Sequence, residues 1–258
     1  MMSNPRSSAA AAPVPGVTAV RPEGADVETS SEAYARRFAG AVGAWFLRTQ
    51  ESATLRMLAP YRGATVLDVG GGHGQVTAAL VAEGFRVTVF GSSECCRRRI
   101  EPFVAAGTCR FQSGSLLGLP YPARSYDVVL SYRLLAHVAR WRALLIELAR
   151  VTRRALLIDV PTRASVNCLI PWLFSLKKRV EGDTRSYRLF DEREVVEVAA
   201  SAGLVADERY PQFFLPMALH RAVGVPAFSS TSERAFRTLG ATGRFGSPVI
   251  VKLVRHHC

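Results

Sequence analysis

Within residues 64–82 the chain passes from a short β-branched run, through four glycines in five positions, to apolar residues at helical spacing. The period change marks a strand at 64–69, a helix at 75–82 and a glycine turn between them. A turn of this kind commits the chain to an α/β unit and lets backbone approach a ligand closely. The dinucleotide pattern G-x-G-x-x-G fails, because its last position falls on Gln75 counted from Gly70 and on Thr77 counted from Gly72. The residues instead spell D-x-G-x-G-x-G, from Asp68 through Gly70, Gly72 and Gly74, with Gly71 inside the turn. A carboxylate beside the turn opposes a pyrophosphate and suits a ligand that carries an ammonium group.

The same alternation continues downstream. Strands are expected at 85–90, 109–113, 126–131 and 155–160, with helices at 94–106, 141–151 and 191–202. Two further strands are expected in the last 55 or so residues, separated by a helical or irregular excursion. Strands and helices joined by short connections predict a mainly parallel sheet covered on both faces. Residues 31–60 carry apolar side chains at helical spacing and read as an N-terminal helical cap, while residues 1–30 read as a flexible tail. Residues 161–190 interrupt the rhythm and read as an inserted, lid-like segment. A single domain over 31–258 accounts for the whole pattern.

Charge and cysteine content narrow the class. The chain carries 33 Lys and Arg against 21 Asp and Glu, a net charge of +12. The arginines are spread along it rather than interleaved with aromatic residues, so no nucleic-acid partner is expected. Five cysteines without a C-x-x-C pair suggest no metal site and no disulfide framework, and fit a reducing, cytoplasmic setting. No uncharged apolar run reaches the roughly 18–20 residues of a membrane span. The stretch "CLIPWLFSLKKRV" leaves peripheral membrane contact open beside a lid or plain core packing.

The D-x-G-x-G-x-G turn resembles the first motif of class I S-adenosylmethionine-dependent methyltransferases. The likeness extends through "RFQSGSLLGLPYPARSYDVVLSYRLLAHV", "ALLIELARVTRRALLIDVPT" and "YRLFDEREVVEVAASAGL", over roughly residues 65–205, and is closest to the group of ubiquinone and menaquinone C-methylating enzymes. The resemblance implies a Rossmann-like, doubly wound α/β fold with a seven-stranded, mostly parallel sheet. It implies S-adenosyl-L-methionine as cofactor and a small-molecule acceptor, aromatic or lipophilic. The cofactor would meet Asp68, Gly70, Gly71, Gly72 and Gly74, then Gly91 and Ser92 after the second strand, Ser115 and Leu116 after the third, and Ser131 and Tyr132 at the fourth.

Two departures from that family stand out. Its second strand usually ends in an acid that takes both ribose hydroxyls, and this chain has Gly91 there; an acid is also usual in the adenine loop, where Ser115 stands. Serine hydroxyls or Glu94 are the available replacements. His137, after the fourth strand, is the candidate general base, with packing at a helix start as the alternative. Tyr34, Arg185 and Tyr187 are candidate acceptor contacts, Thr184 shares the polar turn of Arg185, Arg37 with Tyr34 is a candidate to close the cofactor site from the leading helix, and Arg133 is expected to line the pocket by backbone position. The competing reading is a catalytically silent binding or regulatory protein on the same fold.

Overall fold

The computed structural model describes residues 24–165 and 187–255. Among them seven strands form one sheet: β1 (Thr65–Val69), β2 (Arg86–Gly91), β3 (Cys109–Ser113), β4 (Tyr126–Ser131), β5 (Thr152–Val160), β6 (Leu204–Pro211) and β7 (Val249–Arg255). Their spatial order is β3-β2-β1-β4-β5-β7-β6, with β7 antiparallel to both of its neighbours and the other pairs parallel. This is the doubly wound, mostly parallel arrangement expected from the sequence.

The strands read as apolar runs because both faces of the sheet are covered. Val66, Val128, Leu130 and Leu157 face one side, against Met57, Leu58, Leu80 and Ile100. Leu67, Val69, Val129 and Leu156 face the other, against Trp141, Leu144, Leu148, Val195 and Ala199. Three helices set these layers: α3 (Gly40–Leu58), α6 (Trp141–Val151) and α7 (Glu192–Ser201). In α6 the buried residues Trp141, Leu144, Leu145 and Leu148 recur at three- and four-residue spacing, which is the amphipathic stripe read in the sequence. The C-terminal excursion is helical, comprising α8 (Met217–Val223), α9 (Pro226–Thr238) and α10 (Ala241–Phe245).

Two sequence expectations are corrected. The single helix expected at 94–106 is a 3-10 turn, Glu94–Arg97, followed by a short α5 (Glu101–Ala105) with Pro102 in its first turn. Proline lacks an amide and restricts the residue before it, so a helix can restart there but not run through. The tail expected over 1–30 is not a tail at its end. Residues Ala25–Thr29 form α1 and Asp26 is fully buried, held by tertiary hydrogen bonds that no local periodicity announces. Beyond it lie α2 (Glu32–Ala35), a 3-10 turn and α3.

At the amino ends of the strands, Asp127 accepts from the Thr65 amide at 3.0 Å, the Thr65 hydroxyl at 2.8 Å and the Arg153 guanidinium. Burial pushes its carboxyl up, but these donors and the Arg153 charge outweigh it and hold the carboxyl down at about 2. A depressed folded-state pKa contributes stability above the unfolded value of about 4, lost as pH falls through about 2. Asp127→Asn is therefore expected to lower the melting temperature at pH 7 and to erase that part of the difference below pH 2, measured by thermal melts across pH.

Candidate functional site

The strand order reverses between β1 and β4, and in open α/β sheets the crevice at the carboxyl ends of such strands takes ligands. The glycine turn lies there. Gly70 and Gly74 adopt the left-handed conformation, with φ of 79° and 69°, and bracket a 3-10 turn, Gly71–His73. The Gly70 amide donates to the Phe90 carbonyl at 2.8 Å, tying the turn to the end of β2. The helix after the turn, α4 (Thr77–Ala82), starts later than the sequence suggests because Gly74 still holds the turn's left-handed geometry.

Asp68 lies beneath this turn. A side chain at Gly71 would fall 2.0 Å from Asp68 Oδ2, so only glycine lets the turn fold over the carboxylate. Asp68 is fully buried, and neither of its oxygens has a hydrogen-bond partner among the described residues. Burial raises its pKa to about 7. An unpaired buried carboxylate is costly, and groups perturbed in this way cluster at functional sites. His73, beside it, accepts from the Gln75 amide at Nδ1, and burial lowers its pKa to about 3, so it stays neutral.

A second feature lies on the other side of the switch point. A cleft of about 130 Å³ opens between α3, the turn after β4 and the end of β5. Tyr34, Phe38, Phe46, His137, Tyr187 and Phe213 give it aromatic walls; Gln50, Arg133 and Asp159 supply its polar groups. Arg133 takes a left-handed φ of 58°, uncommon for a residue with a side chain and a form of strain that clusters at functional sites. Its amide donates to Asp159 Oδ1 at 2.6 Å, and its guanidinium donates to Gln50 Oε1 at 2.8 Å and covers the Phe38 ring at 4.1 Å. Gln50 in turn donates to Asp159 Oδ2 at 3.3 Å. Burial raises the pKa of Asp159 and also that of the Tyr34 phenol, the latter against the opposing charge of Arg133.

The structure thus gathers Tyr34, His137 and Tyr187 around one cleft, with the His137 and Tyr187 rings 5.6 Å apart. Arg37 stacks over Tyr34 at 5.2 Å at the rim. Arg185 and Thr184 lie outside the described residues. Other candidates point elsewhere. The Ser131 hydroxyl donates to the Val69 carbonyl, and the Tyr132 hydroxyl meets Thr54 at 2.9 Å in the core, so neither side chain is available to the crevice. Ser115 is exposed and its hydroxyl closes a local turn on the Leu117 amide, whereas Leu116 is buried. Glu94, considered as a replacement ribose acid, is bonded to the Ser113 hydroxyl. Ser92 bonds Asp26 through its amide and its hydroxyl, and the Gly91 carbonyl accepts from the Gly114 amide.

Residues 66–155 match a methyltransferase domain. That segment runs from the start of β1 to the middle of β5 and includes the glycine turn, Asp68 and His137. An uncharacterized methyltransferase of Mycobacterium avium is 38% identical over 91 residues, which cover 35% of this chain and 36% of that protein. The chain therefore matches little more than a third of that curated relative's length. The Synechocystis magnesium protoporphyrin IX methyltransferase, solved with S-adenosylhomocysteine, superposes with a TM-score of 0.60 at 17% identity, covering 88% of this chain and 96% of that one. A Haloferax volcanii methyltransferase complex with the activator Trm112 gives a TM-score of 0.60 at 19% identity, covering 92% and 99%. At such identities the likeness establishes the methyltransferase fold.

The fold also explains why Gly72 must be glycine. A side chain there would fall 2.4 Å from both the Cys96 carbonyl and the Ser30 hydroxyl. Gly72→Val is therefore expected to disturb the chain's own packing as well as any ligand, and to lower the melting temperature. A variant that melts like the wild type would show that Cys96 and Ser30 can move aside freely.

Proposed function

We propose that the protein is an S-adenosylmethionine-dependent methyltransferase acting on a small, aromatic or lipophilic acceptor. The observation that carries this reading is the buried, unpartnered Asp68 carboxylate beneath the glycine turn at the switch point. The residues fit the cofactor's amino-acid end: a carboxylate without a cation, and a turn whose glycines allow backbone approach. When bound, the cofactor supplies a methyl group on a sulfonium.

The chain's own residues do the rest. Asp68 holds the ammonium, and the amides of the turn flank it. The aromatic walls of the cleft exclude water from the acceptor and orient its ring. Gln50 and Asp159 fix Arg133 at the cleft's edge, where its charge favours an acceptor that ionises. His137 takes the acceptor's proton. Losing that base is expected to reduce turnover about 100-fold or more in His137→Ala, with S-adenosylhomocysteine affinity unchanged. Release of S-adenosylhomocysteine across a panel of phenols and acidic carbon compounds tests the reading. A variant that loses stability instead of turnover would make His137 a packing residue.

A second reading, a silent scaffold of the same fold, is favoured by one observation: no acid stands at the end of β2. It predicts no product with any acceptor.

A further inference from the structure

The groove at the carboxyl ends of β1 and β2 is filled by the chain itself. The helix α1 lies across the glycine turn and the turn after β2. Its Asp26 carboxylate accepts from the Ser92 amide at 2.7 Å and the Ser92 hydroxyl at 2.5 Å, with the Cys96 thiol at 3.4 Å. Those are the first donors beyond β2, immediately after Gly91. Ser30 stands over Gly72 in the space that a missing side chain leaves, its hydroxyl 2.4 Å from where a Cβ would be. Asp26, Thr29 and Ser30 are all buried, so nothing else fits between this segment and the turn.

Resting on the methyltransferase reading, we infer that α1 is a self-docked plug: residues 25–30 occupy the groove that the cofactor's nucleoside needs, and cofactor binding requires them to leave. The plug is built to be displaceable. A helix of five residues has no stability of its own and depends on its docking contacts. Asp26 satisfies the Ser92 donors, and the Ser30 hydroxyl packs against Gly72 and beside the Cys96 thiol. Ser31 begins a new helix by capping the Tyr34 amide, which lets α1 detach while α2 stays. Arg99 holds α2 from below through Glu32 at 2.7 Å, outside the groove. The absence of an acid at position 91 fits the same picture, because a second carboxylate beside Asp26 would repel it.

The test is calorimetric titration of S-adenosylhomocysteine into the full-length wild type, Asp26→Ala and Ala25→Lys. The alanine removes the clasp on Ser92, and the lysine puts a charge where Ala25 is buried. If the plug is docked in about nine molecules of ten, both variants bind about tenfold tighter than the wild type. Hydrogen exchange supplies an independent readout: saturating ligand should speed exchange of the amides at 25–30 and slow it at 71–73. Equal affinity in all three proteins, or protection of 25–30 by ligand, overturns the plug and leaves the methyltransferase reading standing. Weaker binding in both variants also overturns it and makes Asp26 a ligand of the cofactor. No binding by any of the three, folded by their melts, overturns the methyltransferase reading and with it the competition.

Discussion

Asp68→Asn is expected to make the unliganded protein more stable at pH 8 while removing most of its affinity for S-adenosylmethionine. The stability sign follows from the raised pKa of about 7. Between about pH 4 and 7 the unfolded carboxyl is ionised and the folded one still holds its proton, so stability falls as pH rises through that window and is lowest above it. A shift of this size corresponds to roughly 4 kcal/mol, which the neutral amide does not lose. Binding runs the opposite way. A ligand ammonium takes the ionised carboxylate, so wild-type affinity is expected to be about tenfold weaker at pH 6 than at pH 8. The ionisable neighbours keep a constant charge there: the Tyr132 phenol is raised by burial, the Cys109 thiol is at about 11 and His73 is at about 3. Asp68→Asn should bind about 30- to 100-fold more weakly at pH 8, the loss expected for a charge-assisted contact, with little pH dependence. Thermal melts and titrations at the two pH values measure both effects; a less stable asparagine variant at pH 8 would contradict the assignment.

Glu233→Ala is expected to cost about 3–5 kcal/mol of stability, from the loss of a buried charged acceptor. Glu233 accepts from the amides of Phe214 and Leu215, both at 2.8 Å, and meets His220 Nε2 at 3.0 Å. His220 Nδ1 meets the Ser229 hydroxyl at 3.0 Å. The connectivity is that of a serine–histidine–carboxylate triad, but Ser229 and His220 have no exposed surface and His220 packs among Trp45, Phe46 and Phe213. Here it staples α8 and α9 to the strand-end loop. Denaturant unfolding reads the loss. Labelling of the folded protein by a serine-directed fluorophosphonate would contradict the structural assignment.

What could be read in the sequence was what depends on period and turn chemistry. The strands and α6 announce themselves because two-sided burial demands apolar runs and one-sided burial a helical stripe. The glycine turn could be read because left-handed backbone and a carboxylate under Gly71 tolerate no side chain. The roles of Asp26, Gln50 and Asp159 could not, because each is fixed by partners 26 to 109 residues away. The Ser229–His220–Glu233 staple escaped for a different reason: its residues lie close in sequence, on two short helices, but carry no pattern that separates a buried bond from a solvated face. For Ser131 and Tyr132 the sequence gives position along the strand and not the partners of the side chains. They stand at the crevice, but their hydroxyls find partners in the core.

The most direct test of the central claim is calorimetric titration of S-adenosylhomocysteine into the wild type and Asp68→Asn at pH 6 and pH 8. The account predicts one site, tighter binding at pH 8 in the wild type, and weak, nearly pH-independent binding in the asparagine variant. Equal affinity of the two proteins at both pH values would contradict it.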